Sequence, residues 1–275
     1  MSREAESRFA GTARLGLAYQ ASGTGEAFVL LHGFTGAKSD FRDHLHAFDD
    51  LRRTVVYDQR GHGGSDRGGP YDFATLVDDL IALLDALQIE RCDLLGHSLG
   101  GMVAMRAVLR RPERFRSLVL MDTAPAPLPL WSWRARWQLR RLVRRHGCEA
   151  LLEGARRAPQ SEPVRRGIEF VGEAAYWQRR RDALRSLDPD AYCGLMDTLR
   201  RHEPVASRLA GISCPTTVLV GEFDTPFLAP ARLMADTIPG VRLVTIAGAE
   251  HSPQLENADA WRGAVRDHLL QWKSP

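Results

Sequence analysis

Lysine is nearly missing from this 275-residue chain: of 37 basic residues only Lys38 and Lys273 are Lys, and the rest are Arg. Cysteine is scarce too. Cys92, Cys148, Cys193 and Cys214 are scattered, with neither CxxC nor Cys/His ligand spacing, so no disulfide framework and no zinc site are expected. No run approaches the roughly 18 consecutive apolar residues of a membrane-spanning helix. The start, Met-Ser-Arg-Glu-Ala-Glu, has no apolar signal-peptide core behind it. A cytoplasmic protein without membrane attachment is expected. A strong charge of one sign is lacking as well, and a net +3 is too small for a nucleic-acid footprint, so no nucleic-acid partner is expected.

What is present is the ordinary balance of a globular chain, 44% hydrophobic and 26% charged. At roughly 150 residues per domain, the length fits one large domain or one domain with an insertion. Short Val- and Leu-rich runs suit buried parallel strands: Ala27–Leu31, Thr54–Tyr57, Cys92–Leu95, Ser117–Met121, Thr216–Val220 and Arg242–Ile246. Helical patterns lie between or after them at Phe41–Asp50, Phe73–Leu87, Leu99–Arg110, Ala229–Thr237 and Ala258–Gln271. This alternation predicts an α/β fold, a mostly parallel sheet covered by helices on both faces. Arg14–Ala21 is expected to add antiparallel strands at one edge.

The alternation breaks between 126 and 210, where only helical patterns punctuated by Pro and Gly occur. The Pro-rich stretch 124–129 is the expected exit and 212–215 the return. The reading is a core of residues 1–125 and 211–275 with an inserted helical cap, residues 126–210. Residues 131–210 carry 17 Arg against 10 Asp or Glu. That excess reads either as a solvated face or as a field attracting anionic substrates. Trp131, Trp133, Trp137 and Trp177 also fall here. Trp133 and Trp137 are one helical turn apart and share a face. Trp133, Trp137 and Trp177 are the candidate substrate contacts, set against simple packing of cap on core.

Chemistry concentrates at strand ends. Gly96-His97-Ser98-Leu99-Gly100 follows a strand and opens a helix. A serine there sits on a tight turn, and the flanking glycines remove side chains that would clash. Its hydroxyl needs a base, and the base an orienting carboxylate. Asp224 follows the strand at 216–220, and His251 follows the strand at 242–246. Both therefore belong to the carboxyl edge of the sheet, where ligands gather. Asp122 and Glu222 compete with Asp224 for the imidazole. The strand at 27–31 runs into His32-Gly33-Phe34-Thr35-Gly36, and the N–H groups of Phe34 and Leu99 are the candidate oxyanion donors. His32, Arg60 and His62 read as scaffold, and Glu256 as a local cap.

These residues together resemble the α/β-hydrolase superfamily over the first 125 and last 65 residues, with the cap outside the match. The resemblance rests on His32-Gly33-Phe34, the Asp58–Asp66 loop, Gly96–Gly101, Gly221-x-x-Asp224 and His251-Ser252-Pro253. It implies an eight-stranded sheet with a lid, Ser98–Asp224–His251 catalysis through an acyl-enzyme, and no metal or organic cofactor. Serine at 98 separates the chain from the dehalogenase and epoxide hydrolase branches, which carry aspartate there. Several stretches are similar to enol-lactonases and esterases, which implies a small ester or lactone as substrate. Others are similar to the menaquinone-pathway 2-succinyl-6-hydroxy-2,4-cyclohexadiene-1-carboxylate synthase, although Met102 stands where that family usually has Arg. Carbon–carbon bond hydrolases share the same core.

Overall fold

The computed structural model describes residues 8–11, 15–129 and 131–271. Eight strands form one sheet: β1 Arg8–Gly11, β2 Gly16–Ser22, β3 Ala27–Leu31, β4 Arg53–Tyr57, β5 Cys92–His97, β6 Phe115–Met121, β7 Thr216–Gly221 and β8 Arg242–Ile246. Their order is β1-β2-β4-β3-β5-β6-β7-β8. The first two pairings, β1 with β2 and β2 with β4, are antiparallel, and the remaining ones are parallel. The expected antiparallel edge is thus present from Gly16 onward, while Arg14 lies outside the described residues.

The period of two along each strand sorts the apolar side chains into two layers. Val29, Leu31, Leu94, Leu118 and Val218 face α1 (Phe73–Ala86), α2 (Leu99–Arg110) and α8 (Thr225–Thr237). Their neighbours Phe28, Leu30, Leu95, Val119 and Leu219 face Trp261 and Val265 of α10 (Ala258–Gln271). With both faces covered, the central strands read as continuous apolar runs rather than as alternation. Asp72 starts α1 by accepting the Thr75 N–H at 2.8 Å.

Two expected helices differ. Phe41–Asp50 is instead a 3₁₀ run, Lys38–His44, followed by turns. Its residues bond three apart, as in Asp40 N–H to the Ala37 carbonyl at 2.9 Å, and Phe41, His44 and Phe48 are all buried. Helix α8 begins four residues earlier than expected. Pro226 falls in its first turn, where the missing N–H costs nothing.

Between β6 and β7 the chain leaves the sheet and forms α3 (Trp133–His146), α4 (Leu151–Arg157), α5 (Glu162–Val171), α6 (Glu173–Ser186) and α7 (Pro189–Arg201). These helices have their own apolar centre, including Val143, Leu152, Leu184 and Met196. Between β8 and α10 lies the short α9 (Pro253–Glu256). No helix among the described residues is long and apolar enough to cross a membrane.

Away from the strands' carboxyl ends, Asp93 of β5 is buried and satisfied by three donors. Arg52 Nε reaches it at 2.6 Å, Arg116 Nη2 at 3.0 Å and Ser117 Oγ at 2.7 Å. Burial alone would raise its pKa, but hydrogen bonds from Arg116 and Arg52 outweigh that and hold it below the usual carboxylate range. The network continues through Ser117 Oγ to His268 Nε2 at 2.9 Å and from His268 Nδ1 to Thr217 Oγ1 at 2.8 Å. Asp93→Ala would leave Arg52 and Arg116 only the more exposed Glu26 as a shared carboxylate and is expected to cost about 3 kcal/mol in urea unfolding.

Burial also lowers His268 and His44 from 6.5 to about 4 each. A neutral histidine below its unfolded pKa stabilises fully above 6.5, and that stabilisation is lost as pH falls toward 4, because the unfolded chain takes the proton first. Unfolding free energy is expected to drop over that window by up to about 1.4 kcal/mol per pH unit for each ring. Urea titrations at successive pH values measure the slope, and a rise on acidification would contradict it.

Candidate active site

Strand β5 ends at His97 and α2 begins at Leu99, so Ser98 is the single residue that turns the chain. It does so at φ 53°, ψ −115°, a conformation an L-residue adopts only when its surroundings impose it. The Ser98 N–H donates to the Met121 carbonyl at 2.9 Å, and Thr123 Oγ1 donates to the Ser98 carbonyl at 2.7 Å. A Cβ at Gly96 would collide with the backbone of Gly100, and one at Gly100 with the carbonyl of Leu31. Only glycine at both positions lets strand, turn and helix close up this far.

The loops after β7 and β8 bring the other two groups to the serine. His251 Nε2 lies 3.0 Å from Ser98 Oγ, and His251 Nδ1 lies 2.7 Å from Asp224 Oδ2. Asp224 is buried and His251 half-buried. Phe227 stacks on the imidazole with centroids 4.7 Å apart. Glu256 accepts the N–H groups of Glu250 at 2.6 Å and Ser252 at 3.3 Å, bracing the histidine loop from both sides. Burial raises its pKa. Of the two competing carboxylates, Glu222 is taken up locally, accepting the Gly248 N–H at 2.8 Å.

Asp122, the other competitor, is fully buried at the end of β6, beside Asp224 rather than on the imidazole. Its Oδ1 accepts the Gly221 N–H at 2.9 Å. Burial, then the charge of Asp224 and a hydrogen bond with it, raise its pKa well above the carboxylate range. Asp122, Asp224 and His251 each have a polar atom within 4.8 Å of the others'. A cation held there would have to displace a hydrogen bond, since Nδ1 and Nε2 of the imidazole are both engaged.

The loop after β3 lies directly on the serine. A Cβ at Gly33 would sit 3.3 Å from both Ser98 Cβ and His97 Nδ1. Among the described residues, no hydrogen bond from the backbone N–H of Phe34 or of Leu99 ends on another residue. Both donors are free to meet a developing negative charge. His32, His62 and Arg60 brace this loop and the next. His32 Nε2 accepts the Gln59 N–H at 3.0 Å, which fixes the ring proton on Nδ1, 2.8 Å from the Gly33 carbonyl. Burial, followed by the charge of His62, lowers His32 to about 3. His62 Nε2 bonds the Phe34 carbonyl at 2.6 Å, and Arg60 pairs with Asp79.

Above Ser98 opens a cavity of about 440 Å³. Trp133, Trp137 and Trp177 do not line it. Trp133 and Trp137 are 67% and 57% exposed, with Arg134 and Arg141 over their rings. Trp177 packs within the helical layer beneath Arg156. Helical spacing correctly put Trp133 and Trp137 on one face of α3, but it could not say which face, and Val143 occupies the buried one. The lining instead includes Trp131, Met102, Tyr176, Arg179 and Arg180. Trp131 precedes the Ser132 cap of α3, so helical periodicity gave no signal for it. Asp40 also faces this space, and burial raises it to about 6 against the pull of Arg180.

Known proteins share this architecture. The enol-lactonase from Burkholderia xenovorans LB400 superposes with a TM-score of 0.82 at 25% identity, covering 96% of this chain and all of that one. A thermophilic esterase from Thermogutta terrifontis gives 0.82 at 28% identity, covering 98% of this chain and all of that one. A putative 2-succinyl-6-hydroxy-2,4-cyclohexadiene-1-carboxylate synthase of Bacillus subtilis is 28% identical over 264 residues, 93% of this chain and 94% of that protein. The matches to other curated relatives span less of them, 30% and 29% of the length of two ethanol acetyltransferases. With residues 28–264 matching the model of the alpha/beta hydrolase family, the chain belongs to that family of enzymes.

Proposed function

We propose that this enzyme is a serine hydrolase that cleaves a carboxylic ester or lactone of a small molecule through an acyl-enzyme. The observation that carries this reading is the continuous hydrogen-bonded chain Asp224–His251–Ser98, with distances of 2.7 and 3.0 Å. Ser98 Oγ attacks the carbonyl carbon while His251 Nε2 takes its proton. Asp224 holds the Nδ1 proton and stabilises the imidazolium. The N–H groups of Phe34 and Leu99 receive the oxyanion. As the tetrahedral intermediate collapses, the imidazolium protonates the departing alcohol oxygen. His251 then deprotonates water, which attacks the acyl-enzyme, and Ser98 regains its proton as the acid leaves.

Residues 126–210 act in this reading as a cap over a core of 1–125 and 211–275, and the inner surface of the cap selects the substrate. Four free, buried cysteines accord with a reducing, cytoplasmic setting.

A lyase using the same triad is the second reading. The arginines facing the cavity and the likeness to the putative synthase favour it, whereas Met102 is an apolar lining residue in place of that family's usual Arg.

Turnover of p-nitrophenyl acetate, butyrate and octanoate tests the proposal. Ser98→Ala and His251→Ala are expected to lose several powers of ten in kcat, on the order of 10⁶ at most. Asp224→Asn should lose up to about 10⁴. Full activity in the Asp224 and His251 variants would sink the triad, and absent turnover by folded wild type would move the weight to the lyase.

A further inference from the structure

Asp122 is out of place as an ordinary carboxylate. It has no exposed surface and sits at φ 45°, in the left-handed region that a side chain enters at a cost. One oxygen, Oδ1, is satisfied by the Gly221 N–H at 2.9 Å. The other, Oδ2, is buried and has no donor among the described residues. The charged groups around it are almost all of the wrong sign. Asp224 comes from the loop after β7 and Glu256 from α9, and each acts against an anion at Asp122. On the histidine side, His251 already gives its Nδ1 proton to Asp224. The His97 ring, tilted against His251 at 5.0 Å, is held neutral by burial, with its pKa near 3.

Ionised, Asp122 would be a buried anion beside another anion, with one oxygen unpartnered. Protonated, it becomes a matched pair of groups: Oδ1 accepts from Gly221, and Oδ2–H finds an acceptor in the Asp224 carboxylate, which has an oxygen within 4.8 Å of an Asp122 oxygen. Two carboxyls this close share one proton more readily than they carry two charges. The proton settles on the member with no other source of positive charge, and Asp224 has the imidazole.

We infer that Asp122 is a neutral carboxyl that donates a hydrogen bond to Asp224 and is a positioning residue for the Ser98–His251–Asp224 relay. The inference rests on the triad reading above and deepens it. The donated bond fixes the Asp224 carboxylate in the rotamer that meets His251 Nδ1. It also draws electron density from that carboxylate, which moderates its hold on the imidazolium. The proton itself stays on Asp122 throughout the cycle, so no bond to substrate forms or breaks there.

Asparagine reproduces the arrangement. Its amide oxygen accepts from Gly221 and its NH₂ donates to Asp224, with no change in charge if Asp122 is neutral. The test follows His251 by NMR in histidine-labelled wild type, Asp122→Asn and Asp122→Ala, beside the pH dependence of kcat/KM for p-nitrophenyl butyrate. In Asp122→Asn the His251 titration midpoint and the acid limb are expected to stay within a few tenths of a pH unit, rescuing most of what Ala loses. In Asp122→Ala both should move up by about one unit, since Asp224 then grips the imidazolium without competition. Its kcat should fall about tenfold with KM little changed.

A fall in the His251 midpoint in Asp122→Asn would mean that a negative charge had been removed, and would overturn the inference. So would an Ala variant with a uniformly lower rate and an unmoved midpoint, the mark of a merely structural residue. If Asp122→Ala does not fold, the Asn variant decides alone. Because the NMR titration needs no turnover, loss of the esterase reading through a Ser98-independent rate would be seen separately from loss of the carboxyl pair.

Discussion

One turn carries the site. A serine held at positive φ between a buried strand and a helix cannot relax without unmaking the close backbone packing around it. Gly96 and Gly100 exist as glycines because any side chain there would strike backbone, and Thr123 and Met121 tie the turn to the neighbouring strand. The cost of the strained conformation, roughly 1–3 kcal/mol, is met by that packing and not by the site itself. In return the hydroxyl stands clear of the sheet at the mouth of a helix, and the loops after β3, β7 and β8 converge on it. Each of those loops is pinned by its own hydrogen bonds: His32 and His62 at the first, Glu222 and Gly248 linking the second to the third, and Glu256 on the third.

Burial also keeps several histidines of the core uncharged, His32 and His97 among them beside the site. His32, His44, His97 and His268 are all held neutral by burial, with pKa values near 3 or 4. They act as rigid polar connectors, each fixed by a backbone or hydroxyl partner. A proton on any of them would put a cation into the packed layers around the sheet. Charge is admitted only where it is matched, as at Asp93 between Arg52 and Arg116.

Much of this was legible in the sequence. The inner strands β3 to β7 stand out because burial on both faces erases polar alternation, leaving short Val- and Leu-rich runs, whereas β8 lies at the edge of the sheet and alternates. Ser98, Asp224 and His251 stand out because each follows such a run at a loop, and the structure brings all three into hydrogen-bonded contact. Other features were hidden for definite reasons. The 41–50 segment carries a helix-like apolar spacing, but the 3₁₀ run 38–44 and the turns after it bury Phe41, His44 and Phe48 equally well. Helix α8 carries Pro226 in its first turn, which a periodicity reading treats as a stop. The tryptophans of α3 were visible as a pair on one face, yet periodicity has no sign, and that face is solvent. Asp122 could be seen only as a rival for the imidazole, because nothing in a sequence reports that two carboxyls face each other.

Phe34 belongs to two parts of the molecule at once. Its backbone N–H points to the proposed oxyanion position, while its ring stacks on Tyr192 of α7 at 5.1 Å and meets Trp131 edge-on at 6.0 Å. A change in how the helices between β6 and β7 pack would therefore reach the N–H that the proposed mechanism sets against the oxyanion. Recognition and rate are not separable in such an arrangement. In the proposed mechanism, a substitution at Trp131, which lines the cavity, or at Tyr192, which packs on Phe34, would disturb the oxyanion donor as well, and a new substrate would be reached more easily through lining residues that leave Phe34 in place.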